Sequence, residues 1–235
     1  ARTLKKGLLG QLLTRGIGHK EFKQTEIGEI PVEWEVMRFE DAPLQIIDGD
    51  RGSNYPSQQE FTSEGYCLFL STKNITESGF IFNDRQFISK ERDAILRKGR
   101  MLRNDLALTT RGTIGNVALY DESVVYERIR INSGMVVIRP DVTRFSPAYI
   151  YQFFLGLQLH FKSVASGSAQ PQLPIRHLNN VLIALPPLPE QKQIAEILSG
   201  VDAVIRQNSD LVEQLKQTKA GMMQDLLTGR KRVAV

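Results

Sequence analysis

The stretch Leu185-Pro-Pro-Leu-Pro-Glu-Gln-Lys-Gln-Ile-Ala-Glu-Ile-Leu198 divides the chain into two kinds of structure. Upstream, apolar residues come in short runs; downstream, they recur at helical spacing. Pro186, Pro187 and Pro189 close the first part, and Pro189 suits a helix start, where its missing N–H costs nothing. From Glu190 to Leu227 there is no proline, and Gly200 and Gly221 are the sole glycines. Ile194, Ile197, Val201, Val204, Leu211, Leu215 and Met222 form a stripe at three- and four-residue steps, widened on one flank by Leu198, Ile205, Val212 and Leu226. At ~1.5 Å per residue this helix runs about 57 Å, longer than a globular neighbour covers, so the stripe predicts a partner helix. Asn208 falls on the seam. Buried there it fixes register at some cost in stability; on an imperfect stripe it is simply a solvated residue.

The end of that helix repeats the start of the chain. Lys5-Lys-Gly-Leu-Leu-Gly-Gln-Leu-Leu-Thr-Arg-Gly16 matches Lys219-Ala-Gly-Met-Met-Gln-Asp-Leu-Leu-Thr-Gly-Arg230, with Lys5/Lys219, Gly7/Gly221, Leu12/Leu226, Leu13/Leu227 and Thr14/Thr228 coinciding. A helix end that both opens and closes a chain indicates one period of a two-period protein, or half of a symmetric dimer. A chance match between two Leu- and Lys-rich helix ends is the plain alternative.

Between the repeats the sequence reads as an α+β domain. Cys67–Leu70, Leu106–Leu108, Val117–Tyr120, Met135–Ile138 and Val181–Leu185 are short apolar runs bounded by Gly, Asn, Asp and Pro, the pattern of strands. One helix is expected from the N-cap Ser89 to about Lys98, before Gly99. Another is expected from Pro147, with Tyr149, Ile150, Phe153, Phe154 and Leu157 at helical spacing. The expected organisation is a helix tail over 1–16, a polar linker over 17–30, a globular domain over 31–185 and a long helix over 186–235. No apolar run reaches the ~18 residues of a membrane span, and no signal peptide is read at the start. Ala1 in place of Met reads as a processed or trimmed start. A lone cysteine, Cys67, excludes an internal disulfide and a thiolate zinc cluster and fits a reducing cytoplasm. A net charge of +4 permits a polyanionic partner without establishing one.

With these residues in view, the chain resembles the specificity subunits of type I restriction–modification enzymes. The Pro-Pro-Leu-Pro-Glu-Gln run and the helix ending Gln224-Asp-Leu-Leu-Thr-Gly carry the resemblance. So do Ile27-Gly-Glu-Ile-Pro-Val-Glu-Trp34, Asp48-Gly-Asp50, Thr110-Arg-Gly-Thr-Ile-Gly115 and Ser166-Gly-Ser-Ala-Gln-Pro171. The resemblance implies a target recognition domain with mixed or antiparallel sheet, followed by a coiled-coil-forming helix. It implies a non-catalytic reader of half of a split target in double-stranded DNA, docking a methyltransferase subunit and a restriction and translocase subunit. A usual member has two recognition domains. This chain has one, so it resembles a second half, or a half-sized subunit that pairs with another copy through the long helix. Where the family often has Gly-Asp before the Arg-Gly loop, this chain has Asn104-Asp105, and Asn tolerates a positive φ.

Reading bases needs side chains with paired donors and acceptors on loops that enter a groove. The candidates are Arg51, Ser53, Asn54 and Tyr55; Lys73 and Asn74; Thr110, Arg111 and Thr113; Asn132 and Ser133; and Gln170 and Gln172. A plain turn between strands at 110–115, and a flexible connector at 166–171, are the structural alternatives. Phosphate contact is expected from the basic stripe Arg85, Lys90, Arg92, Arg97, Lys98, Arg100 and Arg103, against the acids Glu91 and Asp93. A solvated helix face would look the same. Catalysis has little support: no phosphate loop, no dinucleotide loop and no methyltransferase Asn/Asp-Pro-Pro-Tyr/Phe site occurs. Pro140-Asp141 and Glu190-Gln-Lys192 are too far apart for a nuclease motif. His19, His160 and His177 lack ligand spacing and read as surface or core residues. No cofactor is expected. The competing reading is a coiled-coil scaffold with a protein-binding head and no affinity for DNA.

Overall fold

The structure, a computed structural model, describes residues 2–165 and 171–228. In chain order its elements are α1 (Arg2–Arg15), β1 (Phe22–Thr25), β2 (Gly28–Pro31), β3 (Glu35–Arg38) and β4 (Leu44–Asp48). β5 (Cys67–Leu70), β6 (Ile75–Thr76), β7 (Gly79–Phe80), β8 (Phe87–Ile88) and α2 (Lys90–Ile95) follow. Then come β9 (Leu106–Thr109), β10 (Val117–Leu119), β11 (Ile129–Ile131), β12 (Met135–Pro140), α3 (Pro147–Ala165), α4 (Ile175–Asn179), β13 (Leu182–Leu185) and α5 (Leu188–Leu227). The architecture is α+β, as the sequence predicts.

An antiparallel sheet in the order β10-β9-β12-β4 forms the centre of the head. Both its faces are covered, which is why its strands read as unbroken apolar runs. Leu106, Leu108, Val136 and Ile138 point into one cluster with α3 and the base of α5, while Ala107, Met135 and Val137 point into a second. That second cluster is shared with the β11-β5-β8 sheet, in which β11 runs parallel and β8 antiparallel to β5. The pair β13-β3 returns the chain to the start of α5.

Three expectations change. Residues 17–30 are not a loose linker: β1 and β2 form a hairpin, with Gly28 at φ 100° and the Thr25 hydroxyl donating to the Gly28 carbonyl at 2.7 Å. Fully buried Ile30 and Trp34 anchor it. The helix after Ser89 stops at Ile95, because the next residue, Leu96, is extended and buried. The amides of Arg97 and Lys98 then donate to Asp50, at 2.6 and 3.4 Å, instead of continuing the helix ladder.

The apolar stripe of α5 also divides. Ile194, with Ala195 and Leu198, is buried in the head's own core, so it belongs to domain packing and not to an interhelical seam. Ile197 and Val201 lie half-exposed beside it. α1 packs on α3 and α5 through Leu8, Leu9, Leu12 and Leu13. Ile17 meets Glu190 and Lys5 meets Asp202, so α1 runs antiparallel to α5. Beyond this the helix leaves the head. Val204, Leu211, Leu215 and Met222 are 52%, 51%, 59% and 61% exposed, a stripe with no cover among the described residues. Asn208 is exposed and donates to the Val204 carbonyl at 2.9 Å.

Candidate nucleic-acid interface

The strand directions bring one set of loops to a single edge. β12 is antiparallel to both β4 and β9, so the ends of β4 and β9 lie beside the start of β12. β5 and β11 are parallel and also end together. The loops at 48–55, 71–74, 110–115 and 132–134 leave from these ends, and their contacts are continuous. Thr110 and Arg111 donate backbone N–H groups to the Gly134 carbonyl, at 2.8 and 3.1 Å. The Thr113 hydroxyl donates to the Thr72 carbonyl at 3.1 Å. Arg51 reaches the Ser133 carbonyl at 3.4 Å and Asp48 at 3.1 Å. At Gly49 a Cβ would lie 2.2 Å from the Asn132 carbonyl oxygen, so the two loops touch backbone to backbone. The Arg-Gly loop turns through Gly112 and Gly115, at φ 68° and 82°, conformations that glycine adopts without strain.

Two carboxylates hold this edge together. Asp50 accepts from the amides of Arg51, Arg97 and Lys98. Burial pushes its carboxyl up, but those amides together outweigh it and hold it below the usual range. Asp93, 2% exposed, accepts from Arg130 Nε at 2.5 Å and also pairs with Arg100. Arg130, itself buried, donates onward to the carbonyls of Asp93, Leu96 and Lys98, fixing the turn that presents Arg97 and Lys98. Burial pushes the nearby Cys67 thiol up to about 11, offset in part by Arg130, which leaves it unreactive. The signal for Asp50 lay in Asp48-Gly-Asp50; none in the sequence pointed to the Asp93–Arg130 pair.

The expected base readers divide accordingly. Arg51, Lys73, Arg111, Thr113 and Gln172 lie along the edge with their side chains open to solvent, and Arg111 donates to the Gln172 side chain at 3.1 Å across an antiparallel bridge. Asn74 is not free to read. Its oxygen accepts from Ser71 and its amide donates to Ile81 and Asp84, so it builds the turn that carries Lys73. Thr110 is buried, with its hydroxyl on the Gly134 carbonyl. Tyr55 packs edge-on to Phe69, its phenol pushed up by burial and drawn back in part by the facing Ser133. The Asn132 side-chain oxygen takes the Gly134 amide, and the Asn54 carbonyl takes Arg92. Gln170 lies outside the described residues, as does most of Ser166–Pro171.

The basic stripe divides too. Lys90, Arg97 and Lys98 are exposed and make no ion pair with a described residue. Arg85 donates to the Tyr126 hydroxyl at 3.2 Å. Three others are committed to the fold: Arg92 to Glu60, Arg100 to Asp93, and Arg103 to the carbonyls of Asp121 and Val124 under the Tyr120 ring. Among the described residues no cluster of His, Cys, Asp and Glu could hold a metal ion, and no helix is long and apolar enough to cross a membrane.

Residues 31–217 match the model of the type I restriction modification DNA specificity domain. The chain belongs to this family. Members similar to it include the type I restriction enzyme MjaVIII specificity subunit of Methanocaldococcus jannaschii, 30% identical over 97% of this chain and 54% of that protein. The putative MjaX specificity subunit of the same organism is 27% identical over 97% of this chain and 51% of its own length. The chain thus spans about half the length of the curated relatives it matches. Solved specificity-domain folds agree. The HsdS subunit from Thermoanaerobacter tengcongensis superposes with a TM-score of 0.64 at 17% identity, over 95% of this chain and 50% of that one. A chain from a structure titled for complex assembly and conformational transition of the type I R-M system gives 0.68 at 18%, with the same coverage.

Proposed function

We propose that this chain is the reader of one half of a split target in double-stranded DNA, within a type I restriction–modification complex of the cytoplasm. The observation that carries the reading is the convergence of Arg51, Lys73, Arg97, Lys98, Arg111 and Gln172 on one edge of the head. Lys73, Arg97 and Lys98 supply charge for phosphates. Arg111 and Gln172 form a side-by-side donor and acceptor pair suited to a base edge. The domain organisation follows: residues 31–185 read, and 186–235 space and dock. The chain itself does no chemistry. Methyltransferase and restriction subunits dock on the base of α5 and the packed α1.

Two such chains, or this one and a second half, pair through the exposed stripe of α5. The repeat supports an antiparallel order. A helix end of this sequence, α1, already packs at the base of α5, and the same pattern recurs at 219–227. Duplex binding by fluorescence anisotropy, followed over a salt series, tests the reading. Affinity that falls steeply with salt, and a bipartite site recovered by selection, are the expected results. A chain that binds no duplex at low salt is the scaffold of the competing reading.

A further inference from the structure

At the base of α5 one side chain joins the head to the helix. Glu190 Oε1 accepts the backbone N–H of Ile17 at 2.9 Å and lies 2.7 Å from His19 Nε2, while Oε2 accepts from Trp34 Nε1 at 2.9 Å. Its partners come from the end of α1, the entry to the β1–β2 hairpin and the segment leading into β3. Trp34 is fully buried. Gly16 passes so close that a Cβ there would lie 2.4 Å from Glu190 Oε1, and its φ of 63° lies in the left-handed region that favours glycine. The next residue, Gln191, is also fully buried and accepts the Ser146 amide at 2.8 Å, tying the start of α3 to the same turn.

Apolar packing is non-directional and tolerates small rotations. A carboxylate with directed donors on both oxygens does not, since each bond fixes an angle. The lever is long. Over a helix of 40 residues, or roughly 60 Å, a tilt of about ten degrees at the base moves the far end sideways by roughly 10 Å. That is the rise of about three base pairs.

We propose that Glu190 is a positioning residue that sets the separation between this recognition domain and a second one, and so the spacer length of the split target. This rests on the DNA-reading function proposed above. Glu190→Gln keeps size but turns an amide N–H toward either Trp34 Nε1–H or the Ile17 N–H, donor against donor. Trp34→Phe removes a single donor and keeps a ring in the core, so it carries the test if the first variant does not fold.

The experiment is selection from a randomised duplex library by the full chain, read by sequencing. For the native chain one spacer length between two half-sites is expected. For either variant the same half-site bases are expected, with the spacer spread over neighbouring lengths. A purely structural role would lower melting temperature and affinity at every spacing alike. A variant that folds and returns the native spacer alone overturns the proposal while leaving the DNA reading intact. A native chain that enriches no sequence overturns the DNA reading, and the proposal with it.

Discussion

Asp50 shows how one carboxylate can organise the edge that carries the proposed reading residues. It accepts amides from Arg51, Arg97 and Lys98, so it fixes the approach of two loops. Asp50→Ala is expected to lower stability at neutral pH by about 1–2 kcal/mol, the net worth of a charge-assisted hydrogen bond discounted for solvent at a half-open site. The sign with pH follows from its depressed carboxyl. A lowered folded pKa contributes stability above the unfolded value, ~3.9, and loses it as pH falls through the folded value. The gap between variant and native chain in urea unfolding should therefore narrow from about pH 4 downward and close only below the lowered folded value; a gap that stays constant there would mean that Asp50 acts by packing alone. Gly49→Ala probes the same junction sterically. Its Cβ would lie 2.2 Å from the Asn132 carbonyl oxygen, a backbone atom that cannot swing aside. A loss of about 1–3 kcal/mol is expected, as for overpacked sites. At this scale the sequence was a partial guide. Asp48-Gly-Asp50 and Arg111-Gly112 could be picked out by type and spacing. The engagement of Asn74, Thr110 and Tyr55 could not, because long-range partners at Ile81, Gly134 and Ser133 decide it.

At the scale of elements, what was legible depended on how local the cause was. The apolar runs became β5, β9, β10, β12 and β13 within a residue or two, since burial on both faces leaves its mark in the run itself. Asn104 adopts φ 74° as its residue type allows. The two-residue strands β6, β7 and β8 left no periodicity to read, and α2 was overestimated because Asp50, far away in sequence, captures the amides that would have extended it. The long helix was legible along its whole length, but the sequence alone could not divide its stripe between core and exposed positions. That division makes α5 testable in two ways. A Cβ added at Gly200 would meet nothing within 4 Å, so Gly200→Ala should raise thermal stability, by about 0.5–1 kcal/mol from helix propensity. Leu211, 51% exposed in the single chain, should be covered in the pair. Leu211→Asp should convert a sedimenting dimer to monomer without unfolding the head; an unchanged mass would remove the paired helix from the account.

For the whole molecule the question is where a modest net charge of +4 acts. Part of the basic residue content is spent internally: Arg92, Arg100, Arg103, Arg130 and Arg139 all hold the head together. A phosphate surface made from the complete stripe of seven therefore differs from one made by Lys73, Arg97 and Lys98 on the exposed edge. Counterion release separates them, since log K falls with log salt at a slope of about −0.9 per neutralised phosphate. These three charges predict a slope of roughly −3 per chain. Replacing Arg97 and Lys98 by Gln should make it shallower by ~2 and weaken all duplexes alike. Arg100→Gln should behave differently, leaving the slope unchanged but lowering stability by about 1–3 kcal/mol, because it takes a partner from buried Asp93. Arg111→Ala should leave binding to random duplex almost intact and relax preference at one base pair, by ~1–3 kcal/mol if its contact is bidentate. Anisotropy titrations of these three variants on selected and random duplexes distinguish phosphate, structural and base-reading roles. An Arg100 variant that flattens the salt slope would return the whole stripe to the DNA surface, and equal losses for Arg111→Ala on both duplexes would make it a phosphate contact.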